Sequence, residues 1–332
     1  MARFDARSRQ GRGDALYAGG MAVYTQVSAE AMSALLARYG VGALVSAKGI
    51  AEGVENSNYL VETDGGRFIL TLYEKRVDAA DLPFFLSLLD HLAARGRPVP
   101  RALADRSGRQ IQTVAGRPAC LIEFLPGVSL GDPSPAQARA AGAELGRMHV
   151  ALRDFPGSRA NALGPAGWHE LARRCGEQLE TIAPGLGTRV RQELAFLDEH
   201  WPATLPRAVI HADLFPDNVL MLGETVTGLI DFYFSCTDIR AWDLAVMHAA
   251  WCFAPDGRRF DPALGDALIA GYDTTHGLSA AERQAFEILA RGACLRFLLT
   301  RAWDWLNTPA DALVTRKDPL AFLRRLDHYA GR

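Results

Sequence analysis

The stretch "HADLFPDNVLML", residues 211–222, limits what this chain can fold into more than any other. Three polar residues, Asp213, Asp217 and Asn218, crowd into a short loop. The loop runs straight into an apolar run, residues 219–222, that reads as a buried strand. A turn alone would account for Pro216, Asp217 and Asn218, all good turn formers. It would not account for Asp231, which follows thirteen residues after Asn218 at the end of a second apolar run, "LIDF". A turn at Gly223-Glu224 folds the two runs into a hairpin. That hairpin brings Asn218 and Asp231 to one end, beside Asp213.

The bulk numbers admit most soluble folds and exclude few functions. The chain has 332 residues, enough for a large core and two lobes or domains. Its hydrophobic content is 49% and its charged content 22%, ordinary for a globular protein. A formal net charge of -2 supplies no basic field for nucleic acid or an anionic membrane, so neither is expected as a partner. The five cysteines, Cys120, Cys175, Cys236, Cys252 and Cys294, are scattered, and no two form a C-x-x-C pair. Reduced, mostly buried thiols in a cytoplasmic protein are the expectation, without a zinc site. No apolar run reaches the ~20 residues needed to cross a bilayer. Residues 1–20, rich in Arg, Gly and Ala and without a signal-peptide core, read as a disordered extension, with a natural start near Met21.

Turn signals and periodicity divide the rest. Ser28 caps and Gly40 ends a helix over residues 28–39. The segments 59–62 and 68–73 form a hairpin about Asp64-Gly65-Gly66. An apolar-faced helix follows within residues 78–96, and more sheet up to residue 125. Beyond Pro126-Gly127 the pattern turns helical, apart from loop, strand, turn and strand within residues 208–234. We therefore expect an α+β chain: an N-terminal sheet-rich lobe, residues 21–125, and a larger helical lobe, residues 126–332.

The site residues suit phosphoryl transfer, which asks a protein mainly for positioning and charge stabilisation. His211, Asp213, Leu214 and Asn218 fit the H-x-D-L-x-x-x-N spacing of a kinase catalytic loop. Asp213 would accept or orient the nucleophilic hydroxyl. Asn218 and Asp231 would supply hard oxygen ligands for Mg²⁺ against the phosphates of ATP.

"HADLFPDN", "LIDF" and "DIRAWDLA" resemble the aminoglycoside phosphotransferase and choline kinase superfamily. The longer strings "GIAEGVENSNYLVET", "FILTLYEKR" and "PFFLSLLDHLAARGRPVP" resemble the bacterial homoserine kinases within it. The resemblance runs from about Tyr24 to near the C-terminus. It implies a two-lobed protein-kinase-like fold, with a small antiparallel-sheet N-lobe that binds nucleotide. It also implies ATP and Mg²⁺ as cofactors and L-homoserine as the small-molecule partner, phosphorylated on its primary hydroxyl. Oligomeric state is not implied. Carried over residue by residue, Asp213 becomes the catalytic base, and Asn218 and Asp231 the metal ligands. His211 and Asp243 become supports of the catalytic loop. Glu123 and Leu125 become the hinge that meets adenine. The segment "GVENSN" becomes a phosphate-covering turn.

The chain departs from the pattern in places. G-x-G-x-x-G is absent, so Asn56, Ser57 and Asn58 are either phosphate donors or plain turn formers. Thr71 stands where kinases keep a phosphate-binding lysine, and Lys75 or Arg76 are the nearby cations. Asp78 and Asp81 are the candidates for the acidic partner of such a cation. Tyr233 replaces the glycine of D-F-G. For the acceptor, Arg296 sits on a helical face with Thr300, and is either a carboxylate ligand or a surface charge. Asp238 and Arg240 are equal candidates. From Ala281 to the end, nine Arg or Lys stand against six Asp or Glu, which favours an acceptor bearing a carboxylate over a polycation. Two other readings remain: a related kinase for an aminoglycoside, choline or another amino alcohol, and a catalytically dead binding protein.

Overall fold

The computed structural model describes residues 25–50, 56–74, 77–308 and 316–332. The expected extension, residues 1–20, lies outside the described residues, as do Lys75 and Arg76. Helix α1 (Ala29–Leu36) is capped by the Ser28 side chain, as its sequence predicts. Strands β1 (Leu44–Ile50), β2 (Asn56–Thr63) and β3 (Gly66–Tyr73) follow, with the β2–β3 turn at Asp64-Gly65. Helix α2 (Leu82–Ala94) precedes β4 (Gln112–Val114) and β5 (Arg117–Glu123). The five strands form one antiparallel sheet in the order β1-β2-β3-β5-β4.

The alternation of side chains across β2, β3 and β5 gives the sheet two faces. Tyr59, Val61, Leu70, Leu72, Ala119 and Leu121 pack on Met32, Leu35 and Leu36 of α1. Ile69, Tyr73, Cys120 and Ile122 turn the other way, onto Leu82, Phe85 and Leu86 of α2. The second face is the one directed at the remainder of the chain.

Strand β6 (Val128–Ser129) leads into α3 (Pro135–Ala151), α4 (Pro165–Cys175), α5 (Leu179–Ile182) and α6 (Leu186–His200). Strands β7 (Arg207–Ile210), β8 (Val219–Leu222), β9 (Thr225–Leu229) and β10 (Cys236–Ile239) then interrupt the helices. They make two small sheets, β10-β7 and β6-β8-β9. Helices α7 (Arg240–Trp251), α8 (Pro262–Asp273), α9 (Ala280–Gln284), α10 (Phe286–Asn307) and α11 (Leu320–Tyr329) complete the chain. The result is a small antiparallel-sheet lobe followed by a larger, mainly helical one.

Helix α7 is buried on every side, from Ala241 to Trp251, and forms the axis of the large core. Glycines bring α3 and α8 close to one another. A Cβ on Gly142 would run into the Leu268 carbonyl, and one on Gly271 into the Arg139 carbonyl. All five cysteines are buried and free. Burial raises the Cys120 and Cys175 thiols to about 11. Among the described residues, no helix is long and apolar enough to cross a membrane.

Candidate active site

Strand β7 delivers the chain to the predicted loop from inside the core. His211 is completely buried, and Asp243 of α7 lies beneath it, also completely buried. The Asp243 carboxylate accepts the backbone N–H of His211 (2.8 Å) and of Ala212 (2.8 Å). It also accepts His149 Nε2–H from α3 (3.0 Å). Burial by itself would raise the Asp243 carboxyl. The hydrogen bonds from His149 and from the His211 N–H oppose that, and the carboxyl lies below its ordinary value.

His211 ties the loop to the next hairpin. Its Nδ1 accepts the Asp213 N–H (3.2 Å) and its Nε2–H donates to the Ile230 carbonyl (3.0 Å). An amide can only donate and a carbonyl only accept, so the ring is the neutral Nε2–H tautomer. Burial also pushes its pKa down. Ala212 takes a left-handed backbone, φ 65°, unusual for a residue other than glycine. That twist turns Asp213 out of the core, where its side chain is 17% exposed.

Asn218 closes the loop onto Asp213. Its Nδ2 donates to the Asp213 carbonyl (2.8 Å) and approaches Asp213 Oδ2 (3.4 Å). Strands β8 and β9 pair Val219 with Leu229. Just past that pair, the Ile230 N–H donates to the Asn218 carbonyl (3.0 Å). Asp231, the next residue, is likewise left-handed, φ 65°. It therefore stands two residues beyond the end of β9, at the open end of the hairpin. The structure brings Asp213, Asn218 and Asp231 together, on a frame made by His211 and Asp243.

After Asp231 the chain makes a single 3₁₀ turn, Phe232–Phe234. Phe232 packs on the His211 ring, with centroids 4.5 Å apart. Tyr233 points at the small lobe, and its hydroxyl pairs with that of Tyr73 at 3.1 Å. Its ring meets Tyr73 and Phe85 edge-on. The tyrosine that replaces glycine thus joins the two lobes.

On the small lobe, Asn56, Ser57 and Asn58 are not a turn. They are the first three residues of β2, paired with Tyr73, Leu72 and Thr71. The expected turn "GVENSN" is corrected to that extent, and its residues 53–55 lie outside the described residues. Asn56 and Asn58 share the face of Thr71 and Tyr73, the face turned toward Tyr233. Ser57 lies on the opposite face, where its hydroxyl donates to Glu74 (2.8 Å). Thr71 is buried and its hydroxyl donates to Asn58 Oδ1 (2.8 Å). Asp78 caps the 3₁₀ turn before α2, and Asp81 pairs with Arg159 at 2.7 Å. Glu123 ends β5 and forms an ion pair with Arg101 (2.8 Å). Its N–H donates to the Arg101 carbonyl (2.9 Å). Leu125 lies two residues on, close enough to β9 that a Cβ on Gly228 would sit 3.0 Å from its Cδ1.

The acceptor candidates separate. Asp238 is buried in β10, accepts Asn161 Nδ2–H (2.6 Å) and pairs with Arg207 (3.2 Å). Arg240 pairs with Glu282 (2.5 Å) at the start of α7. Both are tied into the frame of the large lobe. Arg296 is instead at the loop itself. It is 2% exposed, which excludes a surface charge, and its Nη2 lies 3.5 Å from Asp213 Oδ1. Sequence reasoning missed two supports of the loop. His149 was hidden as a lone histidine in an apolar helix. Trp251, whose Nε1–H donates to the Leu214 carbonyl (2.9 Å), was hidden in the run "AVMHAAWC".

Comparison with known proteins agrees with this geometry. The profile of the phosphotransferase enzyme family matches residues 46–279. The chain is 56% identical to the homoserine kinase of Zymomonas mobilis subsp. mobilis, over 93% of this chain and 97% of that one. It is 53% identical to the homoserine kinase of Azorhizobium caulinodans, over 92% and 95%. Among solved structures, an amicoumacin kinase in complex with AMP-PNP and Ca²⁺ superposes with a TM-score of 0.69 at 16% identity, covering 91% of this chain and 93% of that one. The choline kinase of Cryptosporidium parvum gives a TM-score of 0.62 at 17% identity, covering 86% and 88%. Those two similarities carry the fold, and the close relatives carry the family: the chain belongs to the phosphotransferase enzyme family, in the group formed with these homoserine kinases.

Proposed function

We propose that this chain transfers the γ-phosphoryl group of ATP to the primary hydroxyl of L-homoserine, giving O-phospho-L-homoserine and ADP. One observation carries the reading. A buried, doubly braced loop presents Asp213 beside Asn218 and Asp231, in a chain that matches homoserine kinases over 92–93% of its length.

Asp213 orients the acceptor hydroxyl and takes its proton as the oxygen attacks phosphorus. His211 and Asp243 hold the loop so that the carboxylate meets the hydroxyl in one orientation. The donor set fits Mg²⁺. Asn218 uses its Nδ2 on Asp213, so its side-chain oxygen remains for a metal, and the Asp231 carboxylate shares the hairpin end. Two protein oxygens completed by phosphate oxygens suit an ion that rarely takes an all-protein cage. Mg²⁺ there would neutralise charge developing on the phosphates. On the small lobe, backbone groups of Glu123 and Leu125, at the end of β5, would meet adenine. Asn56, Asn58 and Thr71 form a polar row on the cleft-facing side of the sheet, suited to phosphate. The five buried thiols fit a reducing cytoplasm.

A coupled ADP-release assay with Mg·ATP tests the acceptor, comparing L-homoserine with serine, choline and kanamycin. Turnover selective for L-homoserine is expected. Preference for choline or kanamycin would replace the acceptor and keep the phosphoryl-transfer site. Nucleotide binding without turnover on any of them would favour a binding protein.

A further inference from the structure

Arg296 is among the largest fully buried side chains in the protein. A buried cation costs several kcal/mol unless its donors and charge are matched. Here the matching comes from the catalytic loop. Arg296 Nη1 donates to the Ala212 carbonyl, and Nη2 faces Asp213 Oδ1 at 3.5 Å. The guanidinium lies 4.2 Å from the Phe297 ring centroid and 5.0 Å from that of Phe234. Phe234 is three residues past Asp231. A single guanidinium therefore touches both the loop of Asp213 and the turn that follows Asp231.

Ala212 is gripped from two sides. The Asp243 carboxylate takes the N–H of His211 and of Ala212, and the Arg296 cation takes the Ala212 carbonyl. This residue holds a left-handed φ of 65°. A non-glycine residue persists in that region only where its surroundings over-determine it.

We propose that Arg296 is a positioning residue for Asp213, its fork clamping the Ala212 carbonyl while facing the Asp213 carboxylate. The proposal rests on the reading of Asp213 as the catalytic base. It separates Arg296 from acceptor binding: the guanidinium is spent on the loop, not on the acceptor carboxylate. Lysine cannot substitute fully, because a single ammonium lacks the planar fork that reaches both oxygens while stacking on aromatic rings.

The test uses the full chain with Arg296→Lys and Arg296→Gln. Two measurements are made: steady-state kinetics, and hydrogen–deuterium exchange over residues 208–220 without ligands. A mispositioned carboxylate predicts that kcat falls about 10- to 100-fold, with acceptor KM within about twofold of wild type. Exchange over residues 208–220 should quicken while the remainder of the chain is unchanged. Should Arg296→Gln fail to fold, Arg296→Lys decides by the same criteria. Two results would overturn the proposal: kcat and local exchange both at wild-type values, or a loss confined to acceptor KM. The second would make Arg296 an acceptor ligand. If the wild-type chain does not turn over L-homoserine, the acceptor reading fails by itself. Exchange in the ligand-free chain then still decides whether Arg296 holds the loop.

Discussion

The backbone around Asp213 is tied down by four side chains arriving from three places. Asp243 and Trp251 come from α7, Asn218 from the loop's own end and Arg296 from α10. A carboxylate so placed should matter to chemistry more than to folding. We expect Asp213→Ala to lower kcat by roughly 10²- to 10⁴-fold, the ordinary contribution of a positioned base. Nucleotide affinity should hold, measured by calorimetry on the same protein. Unchanged turnover would remove Asp213 from the role of base. Asp231→Ala should act differently, weakening Mg²⁺-dependent nucleotide binding while metal-free binding stays as it was. Equal affinity of the variant and wild type for Mg·ATP would show that Asp231 holds no metal. Asp213, Asn218 and Asp231 were legible in the sequence because their spacing is local, set by one loop and one hairpin. His149 and Arg296 were not legible as supports. They meet the site from 94 and 83 residues away, and only the packing of α3 and α10 on α7 brings them there.

At the scale of elements, the same distinction between local and distant holds. Turn residues and apolar periodicity placed the β2–β3 hairpin, α2, α3 and the β8–β9 hairpin. Strand β1 went unread because it is a largely exposed sheet edge with no alternation to detect. Strands β6 and β10 are two and four residues long, and each is a strand only through a partner far along the chain. Helices α3 and α8 carry a signal of a different kind, glycines that let backbones touch. Helix α3 also carries His149, so its distance from α7 bears on the Asp243 brace. Gly142→Ala should force α3 away from the Leu268 carbonyl and cost about 1–3 kcal/mol of stability. Chemical denaturation would measure this as a lower midpoint at unchanged slope, with kcat reduced as the His149 contact loosens. A midpoint equal to wild type would mean that the helices separate without cost.

Over the whole molecule, charge placed in the core ties stability to pH. Burial holds several histidines neutral. His211 and His276 are shifted down, and His248 falls to about 4. His248 is 6% exposed, bonded through Nδ1 to the Tyr329 hydroxyl (2.6 Å) and near His328, whose charge would oppose its own. The unfolded chain takes up a proton on this group near pH 6.5, whereas the folded chain resists until about pH 4. Between those values the unfolded state binds more protons, so stability falls as pH falls. Full passage through that window would remove roughly 3 kcal/mol for His248 alone. The depressed carboxyl of Asp243 adds loss in the same direction at lower pH, once it must be protonated. Melting temperatures at pH 7 and pH 5 should therefore differ clearly in the wild type, with the acidic sample lower. His248→Gln keeps a polar group beside Tyr329 and cannot titrate. Its melting temperature should drop less between the same two pH values, whatever its starting stability. An identical drop in both proteins would move the pH sensitivity away from His248, onto the other histidines held down by burial, His211 and His276.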